Sequence, residues 1–118
     1  MRRSKKVSKQ ERLHKYFMQI AVLTAQNSYA KRSKVGAVVV RNGRIISIGW
    51  NGQPAGWPNE CEVETIGENN EKVLQTLPTV IHAEVNAIYW CAKSEIISDG
   101  ATMYLTLSPC AHCALAMV

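Results

Sequence analysis

Four side chains in this sequence stand at spacings that suit metal chemistry. His82 and Glu84 lie two residues apart, and Cys110 and Cys113 form a C-x-x-C behind Pro109. Ser108 and Pro109 read as the cap and first turn of a helix, which puts both cysteines on one helix face, within reach of one ion. A helix N-terminus favours the thiolate that ligation needs. With His82 as third ligand, a tetrahedral ion such as Zn2+ keeps its fourth position for water and lowers that water's pKa toward ~7. Glu84 sits where it can take a proton from the water and return it to a leaving group. Two other arrangements compete. The C-x-x-C can be a redox pair, or the site can be a closed structural zinc centre with Cys61 or Cys91 as fourth ligand.

The elements that must position these residues follow from periodicity and turn signals. Ser8 and Glu11 have capping-box spacing, and Leu13, Tyr16, Phe17, Ile20, Ala21 and Leu23 recur at helical intervals, which predicts a first helix near 8–28. VGAVVV (35–40) is a β-branched run of the kind buried in a sheet. Asn42-Gly43 then signals a hairpin into an alternating strand over Arg44–Trp50, antiparallel to the first. Residues 51–79 carry three glycines and three prolines, with five acids between Glu60 and Glu71, and read as a long loop, too long for a mere connector and so functional or partly ordered. His82–Lys93 reads as a helix, Ala101–Leu107 as a third strand, and a last helix opens at Cys110. This α-β-β-α-β-α order implies helices packed on a sheet.

Composition bounds the classes. The chain has 118 residues, 47% hydrophobic and 19% charged, which suits one globular domain over 1–118 and excludes a disordered or collagen-like chain. No apolar run approaches ~18 residues, so no membrane span is expected, and no apolar segment follows the basic first residues as a secretory signal requires. The net charge of +5 is uneven. Residues 1–44 hold twelve Lys and Arg against one acid, Glu11, while residues 45–118 hold Lys72 and Lys93 against eight acids. Residues 1–8 read as a flexible basic arm, and the basic half suggests an anionic partner.

Residues 30–118 resemble the cytidine deaminase superfamily, and within it the deoxycytidylate (dCMP) deaminases. Three stretches carry the likeness: KVGAVVVRNGRIISIGWNGQPAG (34–56), IHAEVNAI (81–88) and GATMYLTLSPCAHCA (100–114). H-x-E … P-C-x-x-C is a known signature of zinc-dependent nucleobase deaminases. The first stretch occurs in looser form in tRNA adenosine deaminases, whereas Asn86 and the Gly/Pro-rich loop after GWNG look more like the dCMP enzymes.

The resemblance implies an α/β fold, a cytidine-deaminase-like α/β/α sandwich with a central mixed sheet. It implies one zinc per chain, hydrolysis of dCMP to dUMP as supply for thymidylate synthesis, and a cytoplasmic homo-oligomer, often a hexamer, activated by dCTP and inhibited by dTTP. By position, His82, Cys110 and Cys113 look like the zinc ligands and Glu84 like the proton shuttle. Asn51, Ala83 and Ser108 match substrate-contacting positions, Arg32 a contact to the substrate phosphate, and Gly49, Gly52 and Gly56 the effector loop. Cys91 is expected in the core. Members of the family usually continue beyond this last helix, so the chain looks C-terminally truncated.

Two other classes stay open on sequence. A deaminase acting on tRNA or single-stranded DNA would use the basic half as its footprint, but the aromatics do not interleave with basic residues as a single-strand platform requires. An inactive zinc-binding fragment would leave Glu84 without a role.

Overall fold

A computed structural model describes residues 8–96 and 99–107. The basic arm before Ser8 and the segment from Ser108 to Val118, with the helix expected at Cys110, lie outside the described residues.

The first helix, α1, spans Lys9–Ala25, and the Ser8 hydroxyl accepts from the Glu11 amide at 3.1 Å, as the capping spacing requires. It ends three residues short of the expected boundary. The amides of Gln26, Asn27 and Ser28 turn back on the carbonyls of Leu23, Thr24 and Ala25, which closes the helix in a tight turn.

Strands β1 (Gly36–Arg41) and β2 (Arg44–Trp50) form the expected hairpin. Asn42 and Gly43 both have positive φ, 53° and 73°, as a two-residue turn between twisted strands demands. Register slips between Val39 and Val40, leaving one extra β2 residue as a bulge. Strand β1 pairs on its other side with a later strand over Thr102–Leu105, also antiparallel, so β1 is the central strand.

Being central and covered on both faces explains its unbroken apolar sequence. Val38 and Val40 pack with Phe17 and Ala21 of α1. Ala37 and Val39 pack on the opposite face with Ala83, Ala87 and Cys91. The latter three lie on the helix over Ala83–Lys93. The result is the expected helix–sheet–helix sandwich, with Cys91 in its core. Small residues let the layers close. A Cβ on Gly36 would stand 2.0 Å from the Ala21 carbonyl oxygen, and one on Gly49 would stand 2.4 Å from that of Ala83.

Residues 51–79 correct the sequence reading. Within them β3 (Glu62–Ile66) and β4 (Lys72–Thr76) pair antiparallel from Glu62↔Thr76 to Ile66↔Lys72, around a turn in which Asn70 has φ 61°. The element order is therefore α1-β1-β2-β3-β4-α2-β5, with α2 over Ala83–Lys93 and β5 over Thr102–Leu105. The hairpin is easy to miss because both faces are largely exposed, so its Val, Ile and Leu residues trace no buried side. The excursion leaves and returns at one place. Gly52 and Ile81 exchange both backbone hydrogen bonds, at 3.1 and 2.8 Å, immediately before His82.

Candidate active site

The start of α2 sets the site. His82 is the N-cap, with extended backbone and no side-chain cap bond, and Glu84 falls in the first turn. The acid at that position is favoured by the helix dipole. Glu84 is 4% exposed, whereas the His82 side chain is half exposed. Nδ1 of His82 stands 3.6 Å from Oε1 of Glu84. The start of the helix thus sets a buried carboxylate beside a half-exposed imidazole.

Both residues line a cavity of about 340 Å³. The fold brings Arg32, Asn51 and Ala83 to the same cavity, so five of the sequence-predicted residues share one space. Leu107, just after β5, also lines it. Ser108, Cys110 and Cys113 themselves lie outside the described residues. Among the described residues no three metal-binding side chains converge on a point.

The residues present fit a zinc site as far as they go. One solvent-accessible imidazole next to a buried carboxylate suits a ligand and a proton carrier. Cys61, one of the two candidate fourth ligands of a closed site, borders the same cavity. Burial pushes its thiol up from the ordinary value, the Glu62 charge adds to this, and a hydrogen bond with the Gln53 backbone works against it. The neutral thiol donates to the Asn59 carbonyl at 3.4 Å, a poor starting point for a metal ligand. Cys91 is in the core cluster under α2 and does not line the cavity.

Asn51 follows β2 and ties down the segment before β1. Its Oδ1 accepts from the Val35 amide at 2.9 Å, and its Nδ2 donates to the Ser33 carbonyl at 2.8 Å. One amide proton and one lone pair remain for a ligand. Asn86 makes the matching bond from α2, donating to the Trp50 carbonyl at 2.7 Å.

Arg32 stands on the loop before β1, and here the hairpin supplies what sequence missed. Oε2 of Glu62 accepts from the backbone amides of Lys31 and Arg32, each at 2.8 Å, and Nη1 of Arg32 donates to the Thr76 hydroxyl at 3.3 Å. Glu62 and Thr76 face each other in register and both line the cavity. The Gly67–Asn70 turn signal between two short segments holding Val, Thr, Ile and Leu was what the sequence offered.

The three glycines expected at an effector loop take different places. Gly49 packs against α2, Gly52 makes the bridge to Ile81, and Gly56 occupies a turn with φ 84°. Gly49 and Gly52, with Trp50, Asn86 and Trp90, line a second cavity of about 550 Å³.

Comparison with known proteins gives consistent matches. The family described as the cytidine and deoxycytidylate deaminase zinc-binding region matches residues 11–118. The deoxycytidylate deaminase of Enterobacteria phage T4 is 38% identical over 85% of this chain and 69% of its own length. That of Mycobacterium phage D29 is 39% identical over 83% of this chain and 80% of its own. The human deoxycytidylate deaminase is 40% identical over 84% of this chain, which spans 54% of the human protein. A crystal structure of dCMP deaminase from the cyanophage S-TIM5, in complex with dCMP and dUMP, superposes with a TM-score of 0.77 at 40% identity, covering 96% of this chain and 79% of that one.

Proposed function

The chain belongs to the cytidine and deoxycytidylate deaminase family, and from that premise we propose that it hydrolyses dCMP to dUMP, with water consumed and ammonia released. The observation that carries the reading is the buried Glu84 carboxylate beside His82, in a cavity that also holds Arg32 and Asn51.

His82, Cys110 and Cys113 would hold one zinc ion, with Ser108 and Ala83 flanking the ligands. When bound, zinc supplies acidification of a water at neutral pH. Glu84 then does the work of this chain. Its carboxylate takes a proton from the water that adds to C4 of cytosine and passes it to N3. It then takes the proton of the new C4 hydroxyl and passes it to the exocyclic nitrogen, which leaves as ammonia as the C4 carbonyl forms. Its burial keeps bulk water from competing for the proton. Asn51 offers its remaining donor and acceptor to the neutral nucleoside, and Arg32 offers a planar fork to the 5′-phosphate.

The deciding assay compares ammonia release from dCMP, deoxycytidine and a short single-stranded oligonucleotide, with zinc content measured in the same sample. Turnover of dCMP well above residual turnover of deoxycytidine, with none of the oligonucleotide, is expected. Preference for the oligonucleotide would make the chain a nucleic-acid deaminase instead.

The same reading extends to a cytoplasmic homo-oligomer responsive to dCTP and dTTP. Support for it is the family likeness, together with Gly49 and Gly52 at the second cavity. No described helix is long and apolar enough to cross a membrane. Light scattering with and without each triphosphate tests assembly, and the rate against dCMP concentration tests regulation.

A further inference from the structure

The exposed hairpin has a contact that neither its own stability nor the chemistry at Glu84 explains. Glu62 sends its carboxylate across to a loop thirty residues earlier in the chain, and a single oxygen accepts both the Lys31 and the Arg32 amide at 2.8 Å. Two convergent backbone donors fix the peptide planes on either side of Lys31, the second of which leads into Arg32 and orients the point from which its side chain starts. The partner strand finishes the job. Thr76, directly opposite Glu62 in the ladder, accepts from Nη1 of the same arginine at 3.3 Å. One rigid pair of facing hairpin residues thus holds Arg32 by its backbone and by the tip of its side chain.

The arrangement leaves the arginine free for a ligand. Glu62 is spent on backbone amides, and the guanidinium makes no ion pair with it. Of five guanidinium N–H groups, one is committed to Thr76. Arg32 lines a cavity that also holds His82 and Glu84. A side chain with Arg's rotamer freedom loses much of its binding energy to ordering unless something holds it in advance.

We propose that Glu62 is a positioning residue for substrate-phosphate capture, presetting Arg32 through the amides of residues 31 and 32, with Thr76 as its companion. The inference rests on the reading of Arg32 as the phosphate contact. It predicts an effect confined to phosphorylated ligands, absent when Arg32 is absent, and restored by any side chain that keeps an acceptor oxygen at the same reach.

The test is a double-mutant cycle on the full chain with Glu62→Ala and Arg32→Ala, alongside Glu62→Gln and Glu62→Asp. It reads KM and kcat for dCMP and deoxycytidine, and calorimetric affinity for dUMP. Glu62→Ala is expected to raise the dCMP KM and the dUMP dissociation constant about tenfold, as loss of charge-assisted hydrogen bonds does, with kcat and deoxycytidine turnover held. Glu62→Gln should stay within about threefold of the parent because its amide oxygen can still accept, whereas Glu62→Asp, one methylene short, should resemble the alanine variant. In the Arg32→Ala background Glu62→Ala should add nothing.

Equal losses on dCMP and deoxycytidine would overturn the proposal by making Glu62 merely structural. So would multiplicative effects in the cycle, or a glutamine variant as impaired as alanine. If Arg32→Ala itself leaves dCMP and dUMP binding unchanged, the phosphate reading of Arg32 fails, and the proposal with it. Arg32 sensitivity with independent Glu62 effects sinks the proposal alone. Should Glu62→Ala not fold, Glu62→Asp and Glu62→Gln carry the same comparison through dUMP binding.

Discussion

The two ends of the cavity are built in different ways. His82 and Glu84 stand on α2, whose Ala83, Ala87 and Cys91 are buried against Ala37 and Val39 of the central strand. Arg32 stands on a loop held by Glu62 and Thr76 of a hairpin whose β4 is exposed at every position. The acid–base end is thus placed by close packing, which resists displacement and is costly to disturb. The far end is placed by a few surface hydrogen bonds, which can change without touching the core. The two ends of the cavity thus have separate supports, and changes at one should leave a different trace from changes at the other.

The sharpest break comes at the packed end. His82→Ala should abolish both stoichiometric zinc and dCMP turnover while leaving the circular dichroism spectrum close to the parent's, since the ring is half exposed. Full zinc content in that variant would remove His82 from the ligand set. Gly49→Ala should be the next largest. Its Cβ would meet the Ala83 carbonyl oxygen at 2.4 Å and the Ala87 amide at 2.5 Å, so α2 must move. A loss of about 1–3 kcal/mol in denaturant unfolding is expected, with a fall in kcat because Glu84 moves with the helix.

At the hairpin end, Thr76→Val should raise the dCMP KM a few-fold, as loss of a hydrogen bond worth about 1 kcal/mol does. It should lower Tm much less than Gly49→Ala, because the bond is exposed and no core contact changes. A drop in Tm comparable to that of Gly49→Ala would mean the two regions are not separate.

The smallest effect concerns Cys61, between the two. Its thiol is held above the ordinary value, so the protonated form is favoured in the fold. That contribution is fully present below the unfolded thiol's pKa and is lost as pH rises through the folded one. Unfolding measured at increasingly alkaline pH should therefore show a decline that Cys61→Ala flattens.

What sequence could show follows the same division. The central strand announced itself because both faces are buried, and α1 because Ser8 and its apolar spacing agree with each other. His82 and Glu84 were legible because one helix start fixes both. Arg32 and Asn51 carried no such local mark. They were found through the resemblance, and only the fold shows that they share a cavity with Glu84. The hairpin escaped because its strands bury no side, and Glu62 because it acts on backbone amides, which impose no residue type on their own positions. Periodicity reports burial, so a segment that positions without being buried leaves little trace.

The central claim is that Glu84 carries the proton in hydrolysis of dCMP. Substituting Glu84→Gln keeps the shape and removes the base, so the direct test is dUMP formation by parent and variant at equal, measured zinc content. The account predicts that the variant keeps its zinc and its fold and loses about 10²–10⁴-fold in kcat. Turnover near that of the parent at equal zinc would contradict it.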